Sequence, residues 1–218
     1  MKNLLFGLIA SIIFGCTAIA QNQIKPEDFG FYHNEGLELL KDSKSEWVKK
    51  DINEILDFAT NQMAIKYPKL FSDIDLEELH KVYEGHVYGK FSYEDCIIIW
   101  KTNKQEYIKN NKLSFVSAKV IDKIISDNLT VDEALNEFEN ALKNKDLNEN
   151  DVNSLTAGKS LLKSSDEFWT ANPNSYTKAK PIRSRIADLV VGLMFFESGP
   201  FAAIAGFAAS EFVTASGQ

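Results

Sequence analysis

The chain has 218 residues, of which 44% are hydrophobic, 11% are aromatic and 25% are charged, and its formal net charge at pH 7 is −7. This composition is typical of a globular protein and excludes an intrinsically disordered one. The excess of acidic residues argues against nucleic-acid binding, because phosphate recognition requires a concentrated basic surface.

The N-terminus has the pattern of a secretory signal peptide. Lys2 supplies positive charge, residues 4–14 form a short apolar core, and residues 18–20 (Ala-Ile-Ala) form a small-x-small cleavage motif. The apolar core is too short to span a bilayer. Cleavage after Ala20 predicts a periplasmic or secreted protein. Lipoprotein processing at Cys16, which follows a glycine, is the alternative.

Signal cleavage would leave Cys96 as the single cysteine, so an internal disulfide could not form. Cys96 precedes an Ile-Ile-Ile-Trp run, which is an apolar setting typical of an inert, packed thiol. We therefore expect a folded apolar core, and not a disulfide, to stabilise the protein.

The first part of the mature chain predicts two helices after an extended leader. The leader covers residues 21–31 and is polar. A short first helix is expected to start at Asn34, a plausible N-cap residue. A second helix, with apolar residues at helical spacing, is expected to begin at Ser45 and to end before Pro68.

The middle of the chain gives a weaker pattern. Residues 71–90 are the least regular stretch, and two glycines mark turns within it. Ser92 is a candidate N-cap for a helix that runs toward Ile108. The β-branched triplet at residues 97–99 is also typical of a strand, so residues 93–101 are open between helix and strand. The lack of an evident partner strand in the sequence favours a helix.

The helical pattern is clearest from Phe115 onward. Apolar residues recur on one face, and Thr130 with Glu133 has the pattern of a capping box at the start of the next helix. A polar break at residues 146–150 precedes a last long helix that extends to Trp169.

The chain ends in an apolar segment, residues 183–218, which predicts a helical hairpin. Two apolar arms flank a Glu-Ser-Gly-Pro turn, and Pro200 suits the first turn of the second helix. Small residues recur four positions apart in the second arm, which allows close approach of two helix backbones. Acidic residues divide the segment into runs shorter than the ~20 apolar residues that a membrane-spanning helix needs.

These elements predict an all-α fold, an irregular helical bundle with a C-terminal apolar hairpin. The expected organisation is a signal peptide at residues 1–20, a helical domain at 21–182, and the hairpin at 183–218 packed on that domain. The packing hypothesis rests on the apolar arms, which must be shielded from water by the core or by a membrane.

A membrane alternative depends on basic residues that precede the first apolar arm. Positive charge at a helix N-terminus opposes the helix dipole, so helix stability does not explain its presence there. Such a group suits anionic lipid headgroups, although it could equally pair with the acidic remainder of the protein. Membrane contact through residues 183–213 is therefore possible, and its candidate residues are Lys178, Lys180, Arg183, Arg185, Phe195 and Phe196.

The densest group of metal-capable side chains lies between residues 73 and 86, namely Asp73, Asp75, Glu77, His80, Glu84 and His86. Glu77 and His80 have the spacing of half a di-iron site, but the sequence contains no second Glu-x-x-His. A calcium loop that starts at Asp73 would place Glu78 where glycine is required. A solvated acidic face is the favoured interpretation, and a metal site is the alternative.

Residues 33–35 (His-Asn-Glu) carry groups capable of acid–base chemistry. However, no nucleophile, glycine-rich phosphate loop or Ser-His-Asp spacing accompanies them. The sequence therefore predicts no catalytic residue and no cofactor.

Three segments of the chain together resemble a family of small, uncharacterised, secreted bacterial proteins. They are residues 33–37 (His-Asn-Glu-Gly-Leu), residues 164–169 (Ser-Ser-Asp-Glu-Phe-Trp), and the small-residue-rich tail that Ala187-Asp188 leads. The resemblance implies export and an apolar C-terminus, and it implies no activity and no site residues.

The leading functional hypothesis is an exported, non-enzymatic protein that acts through contacts with an unknown protein partner. One alternative is a membrane-active, bacteriocin-like protein that inserts its C-terminal hairpin. A metal-dependent enzyme is a further alternative.

Overall fold

A computed structural model of the chain describes residues 24–41, 50–111, 113–172, 181–195 and 199–216. Within these ranges the protein is all-α, with ten α-helices, a short 3₁₀ helix at Pro26–Asp28 and no β-strand. The helices are α1 (Phe29–Lys41), α2 (Ile52–Lys66), α3 (Pro68–Phe71), α4 (Glu77–Tyr83), α5 (Tyr93–Lys109), α6 (Phe115–Ser126), α7 (Val131–Leu142), α8 (Glu149–Ala171), α9 (Pro181–Met194) and α10 (Pro200–Ser216). The predicted fold class, an irregular helical bundle with a C-terminal apolar hairpin, is confirmed.

Side-chain caps start several of these helices. The caps are residues whose oxygen accepts a hydrogen bond from a backbone N–H in the first turn: Asp51, Ser92, Ser114, Thr130 and Asn148. The reciprocal capping box that the sequence predicts at Thr130 and Glu133 is present. These caps satisfy N–H groups that would otherwise lack an intrahelical partner.

Residues 93–101, which the sequence left open between helix and strand, are helical. Ser92 and Asp95 form a capping box at the start of α5. Cys96, Ile99 and Trp100 are buried, whereas Ile98 is 60% exposed. This pattern follows the three-to-four-residue period of a helix and not the two-residue period of a strand.

The predicted start of the first helix is wrong. Helix α1 begins at Phe29, directly after the 3₁₀ turn that Pro26 opens, so the extended leader does not continue to residue 31. Asn34 lies inside α1 and does not cap it. Phe29 is almost fully buried, and its burial stabilises the earlier start.

The second helix is described from Ile52, with Asp51 as its cap. The predicted start at Ser45 lies outside the described residues. The helix ends at Lys66, before Pro68, as the sequence predicts, because the residue that precedes a proline disfavours the helical conformation.

Helices α9 and α10 form the predicted apolar hairpin, and they pack against each other along their length. Every residue of α10 from Pro200 to Thr214 is buried. The backbones approach closely where two glycines face each other, since a Cβ atom on Gly206 would lie 3.6 Å from the Cα atom of Gly192. Near the open end of the hairpin, the hydroxyl oxygens of Ser184 and Thr214 are 2.6 Å apart.

The other helices surround this hairpin. Helices α1 and α2 pack on α10, helices α5 and α8 pack on α9, and α1 also packs along α8. Helices α6 and α7 pack on α8 and on each other, and α6 also contacts α9. Since every residue of α10 from Pro200 to Thr214 is buried, this helix lies inside the apolar core.

Candidate functional site

A buried polar network joins helices α1, α8 and α9. Oδ1 of Asp188 lies 3.0 Å from Nε2 of His33, and both side chains are fully buried. Oδ2 of Asp188 accepts a hydrogen bond from the Ser165 hydroxyl. The geometry between His33 and Asp188 is not that of a hydrogen bond, so this contact is an electrostatic one. A single carboxylate therefore connects three helices.

Asn34 extends the network along α8. Nδ1 of His33 lies 2.9 Å from Oδ1 of Asn34, and Nδ2 of Asn34 donates a hydrogen bond to the backbone oxygen of Ser164 at 2.9 Å. The three segments that carry the sequence resemblance, around residues 33, 165 and 188, therefore meet at one place in the fold.

Further contacts set the register between α1 and α8. The backbone N–H of Gly30 donates to the Ser160 hydroxyl at 3.1 Å, and Nζ of Lys41 donates to Oδ1 of Asn172 at 2.9 Å. A Cβ atom on Gly30 would lie 2.4 Å from the backbone oxygen of Ser160, so only glycine permits this approach. Because the contacts advance in the same direction along both helices, α1 and α8 run parallel.

The network does not have the arrangement of a catalytic triad. His33, Ser165 and Asp188 are completely buried, so a substrate cannot reach them without opening the core. In a triad the histidine lies between the serine and the acid and accepts the serine proton. Here the carboxylate lies between the other two groups, and the arrangement serves to join helices.

A second buried acid, Glu211, lies on α10. Its Oε1 accepts a hydrogen bond from the Tyr88 hydroxyl at 2.7 Å. Burial, followed by the charge of Glu211 and its hydrogen bond, raises the pKa of Tyr88. The phenol is therefore held in its neutral, proton-donating form, which is the form that satisfies the buried carboxylate.

The Cys96 thiol is fully buried in α5. Burial, followed by the nearby charges of Asp188 and Asp95, raises its pKa well above the ordinary value. Since the thiolate is the reactive species, Cys96 is unsuited to nucleophilic catalysis.

The candidate metal ligands lie on and beside α4. Oδ1 of Asp75 accepts a hydrogen bond from the backbone of Glu77 at 2.9 Å, and Glu77 pairs with Lys81 at 2.6 Å. Nε2 of His80 lies 3.1 Å from Oδ1 of Asp57. Asp57, Asp75, Glu77 and His80 are among the residues that line an open groove of about 460 Å³.

The remaining candidates lie apart from this groove. The ring of His86 packs edge-on against Phe91 at 5.1 Å, and Asp73 and Glu84 are exposed. Across the residues that the structure describes, which include all six candidates, no group of three or more His, Cys, Asp or Glu could hold a metal ion.

The described membrane-contact candidates contact protein. Arg183 pairs with Glu94 on α5 at 3.4 Å, and Arg185 pairs with Asp166 on α8 at 2.5 Å. The ring of Phe195 is buried. In the described part of the chain, no helix combines the length and the apolar character that crossing a membrane requires. The membrane-contact candidates Lys178, Lys180 and Phe196 and the alternative lipidation site Cys16 lie outside the described residues.

An aromatic patch is exposed where α1 meets the end of α2. We define this α1–α2 patch as Phe31, Tyr32 and Tyr67. Ile65 precedes Tyr67 by two residues in the chain. Phe31 is 54% exposed and Ile65 is 75% exposed. The three rings pack edge to face, with centroid separations of 5.1 Å for Phe31 and Tyr32, 5.2 Å for Tyr32 and Tyr67, and 6.4 Å for Phe31 and Tyr67.

The buried ring of Phe71 packs against two rings of the patch. Phe71 is almost fully buried, and its ring centroid lies 5.9 Å from that of Tyr32 and 6.3 Å from that of Tyr67. The exposed rings are therefore held by a packed base, and Phe31 extends from it into solvent. The sequence did not reveal this patch because Phe31 falls in the expected leader.

The charged groups beside the patch are paired with one another. Glu35 accepts a hydrogen bond from the Tyr67 hydroxyl and forms an ion pair with Lys66. Burial favours a raised pKa for Glu35, but the hydrogen bonds from Lys66 and Tyr67 and the charge of Lys66 outweigh it and hold the pKa below its ordinary value. Burial, followed by the hydrogen bond to Glu35, raises the pKa of Tyr67. The rings thus adjoin a neutralised ionic cluster.

Comparison of the chain with models of known protein families, with curated proteins and with solved structures gives no match.

Proposed function

We propose that this chain is an exported, non-enzymatic protein that binds another protein through the α1–α2 patch. The observation that carries the proposal is the exposure of Phe31 beside rings that the core holds in place, with a second exposed apolar side chain, Ile65, two residues before Tyr67 in the chain. A single exposed apolar side chain is ordinary, whereas a group of them marks an interaction surface.

The construction of the patch suits protein binding. Aromatic side chains are enriched in protein interfaces and dominate their binding energy. The edge-to-face packing of Phe31, Tyr32 and Tyr67 restricts their motion before binding, so that less side-chain entropy is lost in the complex.

The electrostatics favour an apolar partner surface. Lys66 and Glu35 neutralise each other beside Tyr67, and the whole chain is acidic. A polyanion would meet no concentrated positive charge here. The expected partner is a protein that presents an apolar surface to the rings.

Two further points support the proposal. The histidine, serine and aspartate that the fold brings together are buried and join helices, which leaves the non-enzymatic hypothesis as the simpler one. Export is supported by the signal-peptide pattern of residues 1–20, which lie outside the described residues.

Site-specific photocrosslinking in the cells that produce the protein tests this proposal. A photoreactive phenylalanine replaces Phe31 in one full-length variant and Ile65 in another. The matched controls carry it at Ile98 on α5 and at Phe115 on α6, which are 60% and 56% exposed. We expect one and the same protein adduct from positions 31 and 65, and no such adduct from positions 98 and 115.

A second substitution makes the test specific to the rings. Phe31→Ser, combined with the photoreactive residue at position 65, is expected to remove the adduct, while Phe115→Ser in the same background leaves it. Similar adducts from all four positions, or none from positions 31 and 65, would show that the patch is not the binding surface.

A further inference from the structure

Three charged side chains of α9 pair with residues of the surrounding helices, and these pairs differ in how deeply they are buried. The pairs of Arg183 with Glu94 and of Arg185 with Asp166 each include a carboxylate that is partly exposed. The bridge at Asp188 is completely buried. Exposed ion pairs contribute little to stability, whereas breaking a buried pair leaves an uncompensated charge in the core.

Groups from several helices face the Asp188 carboxylate. His33 on α1 lies 3.0 Å away, and Ser165 on α8 donates a hydrogen bond to it. Tyr83 on α4 and Cys96 on α5 both interact electrostatically with it. From its position on α9, this carboxylate interacts with groups on four other helices.

Protonation of Asp188 would change the core more than protonation of an exposed acid. The neutral carboxyl loses its electrostatic attraction for the His33 ring 3.0 Å away, and polar groups that lose a partner inside an apolar core are costly. By contrast, Glu139 on α7 pairs with Lys159 at the surface, where water solvates the lysine once the pair is lost.

We propose that Asp188 is an acid-sensitive clasp, whose protonation releases the α9–α10 hairpin from α1, α5 and α8 before the outer helices unfold. The clasp couples a local proton-binding event to the exposure of the most apolar element in the described chain. Its release would uncover the α5 face that α9 covers, where Cys96 lies.

Cys96 provides a native reporter for this release. A full-length variant with Cys16→Ser carries Cys96 as its single thiol. The rate at which a dipyridyl disulfide modifies Cys96 is measured from pH 7 to pH 4. This reagent reacts with thiols in acid as well as at neutral pH. Each rate is divided by that of the urea-unfolded chain at the same pH, which removes the intrinsic pH dependence of the thiol. Far-UV circular dichroism records helix content in parallel.

The proposal predicts that the Cys96 labelling rates of the parent and of Asp188→Asn become equal as the pH falls. At pH 7 the Asp188→Asn variant is expected to be labelled at least about tenfold faster than its parent, because the buried pair is lost. As the pH falls, labelling of the parent should accelerate toward that of the variant while helix content is retained. The matched control Glu139→Gln should behave as the parent does.

Two outcomes would overturn the proposal. One is that parent and Asp188→Asn keep a constant ratio of labelling rates from pH 7 to pH 4. The other is that Cys96 becomes reactive only when the helix signal is lost. If Asp188→Asn does not fold, the parent profile still decides between early release and global unfolding. Ser165→Ala, which keeps the carboxylate, is then expected to show a smaller acceleration and an unchanged pH dependence.

Discussion

Helices α10 and α7 are buried in opposite ways. Helix α10 is buried around its whole circumference, and most of the side chains that it buries are apolar. Helix α7 buries Ala134 and Phe138, while its other residues are exposed or half-buried. The outer helix α7 is therefore specified mainly by local sequence signals, and the inner helix α10 mainly by long-range packing.

The largest effect is expected where the inner helix is truncated. Phe207→Ala removes a fully buried ring that packs against Gly36 of α1, and it should destabilise the protein by about 3–5 kcal/mol, because the cavity cannot close completely. Urea denaturation of the full chain measures this free energy. The matched change Phe115→Ala, at an exposed ring, should stay within about 0.5 kcal/mol of the parent. Equal losses would contradict the difference between inner and outer positions.

The second largest destabilisation is expected when Asp188 is removed from its buried pair with His33. Asp188→Ala should cost about 3–5 kcal/mol, since it removes the hydrogen-bond acceptor of Ser165 and the carboxylate that lies against His33. The double variant with His33→Ala should cost clearly less than the sum of the two single changes, because the residues are coupled. Additive losses in a double-mutant cycle would show that the two side chains act independently.

The outer helices should respond to their caps. Thr130→Ala removes the oxygen that accepts the Glu133 N–H at 3.3 Å and is expected to cost about 1 kcal/mol. Thr130→Ser retains the hydroxyl and serves as the control. A loss of the same size from both variants would mean that the methyl group, and not the cap, stabilises α7.

The smallest expected effect concerns pH and the α1–α2 patch. The pKa of Glu35 is lower in the folded protein than its ordinary value of 4.5, so its contribution to stability is present above that value and is lost as the pH falls through the folded pKa. The difference in unfolding free energy between the parent and Glu35→Gln should therefore be largest near neutral pH and should shrink below about pH 4.5. Urea denaturation from pH 7 to pH 3 measures it. A difference that grows in acid would contradict the lowered pKa.

Helix identity was largely predictable from the sequence, because each signal is local. The Thr130–Glu133 capping box, the stop before Pro68 and the helix start at Pro200 are all read within a few residues of where they act. The start of α1 was not predictable from the Asn34 signal, since that side chain binds α8 instead of capping its own helix.

The buried network and the α1–α2 patch could not be predicted from the sequence, because both depend on contacts between distant parts of the chain. His33 and Asp188 are far apart in the chain, and no local rule predicts that α1 runs parallel to α8 at the required register. The patch depends in the same way on the packing of Phe31 beside Tyr67. One indication of the network was present in the sequence: Asp188 is an acidic residue within an apolar arm, and a buried acid needs a partner.

The pairing of the first helix with the last three has a consequence for the order in which the chain can fold. Helix α1 contacts α8 and α10, which follow it far along the chain, so its native surroundings are complete only after both of those helices have been synthesised. Until then the N-terminal half has no finished core to join. We therefore expect a nascent chain of this topology to complete its apolar core only late in its synthesis.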